Sequence, residues 1–350
     1  MTVYFGVDFH ARVQTISYCN TADGEIFVRE LHHRKDDIRG FYAQFEGEVI
    51  VGIEASGFST WFEEILEALG HQVWLGNAAE IRRLAKRRQK NDRRDAELIL
   101  DLLMFGGFPR VYRPSLQSRE ILRTLRHRRR LVKLRTMVKN HLHALAINAG
   151  LPRASLGSAR GRQRLRAEPL HGVMAEQCQE WLALHEQLDA RILPLEAGLQ
   201  REAESDPQVV RLRTHPGIGV LTALALLHVL GPLARFANSR KVAAYVGLDP
   251  REHSSAEHKR YLGISKAGSS LLRFLLGQAA LTAAGGDEEL GRFYRRISFR
   301  RGHQIAKVAV ARKLLVRSFI LLRDEIDYAE FLRRGVEARL ARQARRSNHT

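Results

Sequence analysis

Hydrophobic and polar positions alternate along residues 2–8, and the run is rich in β-formers, so it predicts a strand. Residues 13–19 and 26–32 predict two more, joined by the turn Ala22-Asp23-Gly24-Glu25. Residues 37–46 have the spacing of a short amphipathic helix. Residues 49–55 form a nearly continuous apolar run, as a buried parallel strand does. A helix at 60–69 stopped by Gly70, a fifth strand at 71–75, and helices at 79–89 and 92–105 follow. The order β-β-β-α-β-α-β-α implies a mixed sheet covered by helices.

From residue 116 to 149 the period becomes helical, with Ile121, Leu122, Leu125, Leu131, Leu134, Val138, Leu142 and Leu145 on one stripe. Between them lie Arg119, Arg123, Arg126, Arg128, Arg129, Arg130, Lys133, Arg135 and Lys139, which gives the outer face a strong positive charge. A Gly/Ser/Arg-rich connection at 154–166 leads to a second long helix at 173–203, with Trp181, Leu182, Leu188, Ile192 and Leu199 inward and a kink at Pro194. Two such helices are expected to pack antiparallel as a coiled-coil arm. Beyond Asp206-Pro207 come short apolar helical pieces at 221–230, 242–246 and 271–284, then longer helices at 288–300 and 305–323. A basic, frayed tail is expected after Glu337.

Charge changes the picture. The 57 Lys+Arg against 38 Asp+Glu leave a formal charge of +19, which draws polyanions by phosphate neutralisation and counterion release. Nucleic acid is therefore the expected partner, and the basic helix face reads either as its cradle or as a solvated surface. Cys19 and Cys178 make neither a zinc pair nor a disulfide framework, and both have apolar neighbours suited to core positions. No apolar run reaches the ~20 residues that span a bilayer. The first residues enter a strand without a basic leader, so a cytoplasmic protein, off the membrane and beside the chromosome, is expected.

Three constellations carry chemistry. Asp8 and Glu54 stand at strand ends, and Asp92 and Asp95, three apart at a helix start, share one face. Unpaired buried carboxylates are costly, whereas an oxygen cluster suits Mg²⁺ or Mn²⁺ and phosphoryl transfer. Asp92 alone reads equally as a helix cap. Pro216-Gly217-Ile218-Gly219 between two helices offers backbone N–H groups to a phosphate through Gly217 and Gly219, or is a plain helix–helix turn. The polar loop from Leu248 to Ala256 brings Ser254 and Ser255 near His253, Lys259 and Arg260, a bare hint of nucleophilic catalysis.

Together, Gly6-Val7-Asp8, Ile53-Glu54-Ala55-Ser56-Gly57, Lys90-Asn91-Asp92-Arg93-Arg94-Asp95-Ala96, Pro216-Gly217-Ile218-Gly219, Ala243-Ala244-Tyr245-Val246-Gly247-Leu248-Asp249-Pro250 and Ile264-Ser265-Lys266-Ala267-Gly268 resemble the insertion-sequence one-ten family of transposases. The resemblance implies an α/β RNase H-like (RuvC-like) DEDD domain at 1–112 with Asp8, Glu54, Asp92 and Asp95 as catalytic metal ligands. It implies a basic coiled-coil arm at 113–205 and a mainly α transposase domain at 206–350. Its serine nucleophile matches Ser255, with Ser254 as the alternative and Ala256 where the family usually has glycine. Arg126, Arg129, Arg130 and Lys133 on the arm, Gly217 and Gly219, and Arg251 and Lys266 are the expected nucleic-acid contacts. The resemblance further implies Mg²⁺ or Mn²⁺, donor and target DNA, a non-coding guide (bridge) RNA, and a homo-oligomer, dimer or tetramer. Two other readings use the same residues: a RuvC-like junction-resolving endonuclease, and a non-catalytic nucleic-acid-binding protein.

Overall fold

The computed structural model describes residues 1–55, 57–85, 91–151, 156–255 and 258–347; at 252–255, 258–262 and 342–347 it describes the backbone alone. The chain forms two compact units, Met1–Arg113 and Pro114–Thr350.

In the first unit, β1 (Thr2–Phe9), β2 (Val13–Asn20) and β3 (Ile26–His32) form an antiparallel meander. After α1 (Lys35–Tyr42), β4 (Glu48–Glu54) returns parallel to β1. α2 (Thr60–Ala68) leads to β5 (Gln72–Gly76), parallel to β4, and α3 (Ala78–Leu84) and α4 (Asp92–Met104) follow. The five strands lie in the order β3-β2-β1-β4-β5. One face packs Phe5, Ile16 and Ile53 with Tyr42 of α1 and Phe62 of α2, all with no exposed surface. Ile50 and Ile99 belong to a second cluster that also holds Leu103 and Phe108.

The approach of α4 to β1 depends on Gly6, because a Cβ there would lie 2.3 Å from both the Ala96 carbonyl oxygen and the Leu100 nitrogen. With no side chain at that point, helix backbone rests directly on strand backbone. This contact sets where the first turn of α4 comes relative to the end of β1.

The second unit begins with α5 (Leu116–Asn148), α6 (Ala159–Ala167) and α7 (Gly172–Ser205). α5 and α7 run antiparallel: Gln117 pairs with Glu202, Arg128 with Glu196 and Arg135 with Asp189, and His141 stacks on Trp181. Leu131, Val138, Leu142 and Ala146 pack with Leu182, Leu188 and Ile192 between them. Ile121, Leu122 and Leu125, earlier on α5, belong to the core of the helices that follow. Those are α8 (Pro207–Arg213), α9 (Val220–Leu230), α10 (Ser239–Val246), the hairpin of β6 (Pro250–Ser255) and β7 (His258–Ile264), α11 (Ser270–Gly286), α12 (Glu288–Arg301), α13 (His303–Arg323) and α14 (Tyr328–Ser347).

Several local expectations are corrected. The Arg-rich connection after Leu151 contains a helix, α6, capped by Ser158, whose side chain accepts from the Gly161 N–H. The polar loop around Ser255 is a two-stranded hairpin, and the tail after Glu337 continues α14 to Ser347. Leu134 falls on the apolar spacing yet is 46% exposed. Cys19 and Cys178 are buried free thiols. No described helix is long and apolar enough to cross a membrane.

Candidate active site

β1 and β4 run parallel, and Val7 pairs with Ile53, so the next residues along them, Asp8 and Glu54, reach the same end of the sheet. α4 starts there too. The Asn91 side chain caps this helix, accepting from the Arg93 N–H at 3.0 Å. The capping alternative for Asp92 is therefore overturned, and its carboxylate is left for other contacts. The amino-terminal end of α4 also favours anionic Asp92 and Asp95 in its first turn.

The ligand atoms of Asp8, Asp92 and His10 all lie within 4.8 Å of one another. His10 Nε2 is 3.1 Å from Asp8 Oδ2 and 3.5 Å from Asp92 Oδ2. Asp8 has only 15% of its side chain exposed. Burial pushes its pKa up, His10 pulls it back, and the charges of Asp92 and Asp95 push it up again. Like charges converging on a desolvated carboxyl are what a bound cation relieves. Asp95 is thus within electrostatic reach. Glu54, by contrast, meets Arg82 at 3.1 Å, outside the three-residue group.

The spacing of carboxylates along the sequence does not mark His10. The available signal was a histidine two residues after the strand-end aspartate, in a turn this short. The His10 N–H donates to the Val13 carbonyl at 3.0 Å and fixes that turn.

In the second unit, the charged face of α5 divides into two sets. Arg123, Arg128 and Arg135 pair with Glu120, Glu196 and Asp189. Among the described residues Arg126, Arg129, Arg130 and Lys133 pair with no carboxylate; Arg129 lies 4.1 Å over the Phe274 ring. A groove of about 1010 Å³ is lined by Arg129 and Lys133 from α5, by Gly217, Gly219 and Thr222 around the α9 terminus, and by Phe274. Gly217 adopts φ +86°, and a Cβ there would lie 2.5 Å from the Ala283 nitrogen, so this turn is also a packing joint against α11. Gly219, the residue before α9, has open space around it.

The hairpin base is held by a hydrogen bond from the Ser265 hydroxyl to Asp249 and by the Ser265 N–H to the Asp249 carbonyl at 2.9 Å. Arg251 and Lys266 are exposed beside it, and Lys266 takes φ +57°, an uncommon conformation for a residue with a side chain. Ser254 and Ser255 lie on β6, opposite Lys259 and His258. Their side chains, and Ser56, Lys90 and Ala256 entirely, lie outside the described residues.

A family model described as "Transposase IS116/IS110/IS902 family" matches residues 209–295, and the DEDD transposase model of IS110 elements matches residues 5–147. The transposase for insertion sequence element IS1111A of Coxiella burnetii is 30% identical over 277 residues, 75% of this chain and 74% of that protein. The chain belongs to the IS110 family of transposases. A probable family 20 transposase of Pseudomonas aeruginosa is similar at 28% identity over 92% of this chain and 97% of its own length. The pilin gene-inverting protein of Moraxella bovis is 26% identical over 78% and 79%. Membership of the IS110 family makes this a DNA-binding enzyme that cuts and rejoins DNA, and makes the first unit's mixed sheet an RNase H-like one.

Close to the Pro216-Gly217 turn, His215 is 1% exposed; its Nδ1–H donates to the Pro216 carbonyl at 2.8 Å, and its Nε2 accepts from Arg317 at 3.4 Å. Burial above all lowers its pKa from 6.5 to about 4. The unfolded chain therefore binds a proton that the folded one refuses, and stability rises with pH between about 4 and 6.5, then levels off. At ~1.4 kcal/mol per pH unit the loss on acidification is about 3 kcal/mol. Urea midpoints of the helical transition measured from pH 7 to pH 4 should show this slope, and His215→Gln should flatten it. An equal slope in the variant would assign the acid sensitivity elsewhere.

Proposed function

We propose that the chain is a divalent-metal-dependent recombinase in which Asp8, Glu54, Asp92 and Asp95 form the acidic site and Ser255 is the nucleophile. The observation that carries the proposal is the convergence of Asp8 from β1 and Asp92 from the first turn of α4 within 4.8 Å. The donor set fits a hard divalent ion, Mg²⁺ or Mn²⁺, because it offers anionic oxygens on a partly desolvated site. When bound, such an ion neutralises charge on a DNA phosphate. The chain's own acids then hold that centre in place, Asn91 keeping Asp92 free of the helix end and Arg82 orienting Glu54.

The Ser255 hydroxyl, giving up its proton, attacks a DNA phosphate. The P–O bond to one deoxyribose breaks, and that oxygen takes up a proton and leaves as a free hydroxyl end. The other side of the strand is kept as a phosphoserine ester that this hydroxyl, or another, can reverse in rejoining. This role rests on the family likeness of the sequence around Gly247-Leu248-Asp249-Pro250. Arg251 on β6 and Lys266 just after β7 are exposed and supply positive charge to the phosphate. The unpaired cations Arg126, Arg129, Arg130 and Lys133, with the groove at Gly217 and Gly219, hold nucleic-acid backbone. α5 and α7 serve as the coiled-coil arm, and a guide RNA and a homo-oligomer complete the machinery, acting on the chromosome in the cytoplasm.

The test is expression with native flanking DNA and amplification across the circular junction of the excised element. Junction product should fall in Asp92→Ala by more than the ~10–100-fold typical of losing an outer-shell metal partner. Ser255→Ala should abolish it, and Ser254→Ala should retain it. Product persisting in Ser255→Ala would remove the serine from the mechanism; product unchanged in Asp92→Ala would remove the acidic site.

A further inference from the structure

The acidic site contains a group that an all-carboxylate description omits. His10 sits in the turn between β1 and β2, pinned by its own N–H to the Val13 carbonyl, and presents Nε2 to Asp8 and Asp92. Two ligands of one ion at ~2.1 Å are ~3.0 Å apart at the right angle of an octahedron and at most ~4.2 Å apart. The His10–Asp8 separation of 3.1 Å and the His10–Asp92 separation of 3.5 Å both fall in that range. Asp8 on β1 and Asp92 on α4 come from elements whose approach is set by backbone contact at Gly6, and His10 comes from the turn pinned at Val13, so the set is preorganised.

Resting on the metal-dependent reading above, we infer that His10 is itself a ligand of the bound ion, making the site a mixed nitrogen–oxygen centre. The consequence is selectivity. Carboxylate oxygens serve Mg²⁺ and Mn²⁺ alike, whereas an imidazole nitrogen favours a first-row transition ion over Mg²⁺. The site therefore holds first-row transition ions, Mn²⁺ among them, more tightly than an all-carboxylate site would, with Mg²⁺ the weaker occupant. His10 binds through a lone pair on Nε2, so the bound form is the neutral imidazole with its proton on Nδ1.

The experiment uses the full chain with Mn²⁺ as the probe and needs no DNA. Pulsed electron paramagnetic resonance should detect ¹⁴N coupling to the bound Mn²⁺ in the wild type. His10→Asp, which substitutes an oxygen donor, should still bind Mn²⁺ but lose that coupling. Its ratio of Mn²⁺ to Mg²⁺ affinity, measured by titration calorimetry, should drop, because the nitrogen donor that favours the transition ion is gone. His10→Gln has a similar reach without an imidazole and must lose the nitrogen signal too; unchanged circular dichroism in both variants shows that the fold is kept. Mn²⁺ bound in an Asp92-dependent way with no ¹⁴N coupling, or with coupling unchanged in His10→Asp, overturns the His10 assignment and leaves the acidic site standing. Absence of Asp92-dependent Mn²⁺ binding in the wild type overturns both.

Discussion

Gly6→Ala is expected to destabilise the first unit by at least about 3 kcal/mol and to dismantle the acidic site with it. The added methyl would meet the Ala96 oxygen and Leu100 nitrogen at 2.3 Å and the Leu100 Cα at 2.9 Å. All three are backbone atoms of α4, so no side chain can swing aside. Overpacking ordinarily costs 1–3 kcal/mol, and a clash that only a helix shift can relieve belongs at or above the top of that range. Because Asp92 and Asp95 ride on the first turn of α4, the same shift separates them from Asp8. Hydrogen exchange of β1 and α4 amides should accelerate, and Mn²⁺ binding should disappear. Gly40→Ala supplies the opposite sign: Gly40 is an exposed residue inside α1 with nothing within 4 Å of its Cβ position. It should stabilise by roughly 0.5–1 kcal/mol. Wild-type stability and metal binding in Gly6→Ala would refute the strand–helix contact as the device that builds the site.

That contact shows why the sequence revealed the acids more readily than their arrangement. A period-2 pattern marks β1, a continuous apolar run β4 and a period-3.6 pattern α4, and strand ends and helix starts mark where the acids fall. Which partner each acid takes is a matter of ångströms and rotamers that spacing does not encode. Asn91 and Asp92 are adjacent and both suit a cap, yet only Asn91 takes it. Glu54 looks equivalent to Asp8 at its strand end, yet Arg82 from α3 claims it.

The same limit governs the second unit. α6 buries only Gly161 and Leu165 among its nine residues, too few to give a stripe, and α14 has an arginine-rich surface. The first strand of the hairpin, β6, contains Arg251, Glu252, His253 and Ser254, polar residues without the alternation that marks a half-buried strand. Leu134 has the right spacing but faces out, because the apolar stripe of α5 serves two cores in succession. Ile121 and Leu125 point to the helices after residue 206, whereas Leu131 to Ala146 point to α7. A long helix shared between two clusters has no single inward face for a periodicity argument to find.

Asp287→Ala is expected to destabilise the second unit by about 3 kcal/mol, the lower end of the cost of breaking a buried ion pair, since Glu289 still meets Arg317. Arg317 is 6% exposed and donates to Asp287 at 2.9 Å and to Glu289 at 2.9 Å. Asp287 also accepts from the Tyr328 hydroxyl, and from the Leu290 N–H at 2.6 Å as the cap of α12. Burial alone would raise its pKa, yet these hydrogen bonds and the Arg317 charge hold it below the ordinary carboxylate value. Its stabilisation is therefore present above the unfolded pKa and lost as pH falls through the folded one, the same direction as that of His215. The cluster ties α12, α13 and α14 to the turn before α9, where the Tyr328 N–H donates to Thr214 at 2.9 Å and its ring lies 4.4 Å from His215. If the penalty in Asp287→Ala is the stranded guanidinium, Arg317→Met in the same chain should restore much of it, since Met removes the charge while filling similar space. The residual loss should then be about 1 kcal/mol, the worth of the α12 cap. Urea unfolding followed by circular dichroism measures all three chains. Additive losses in the double variant would mean that Asp287 acts through the cap and Tyr328 alone, with Arg317 held independently by Glu289.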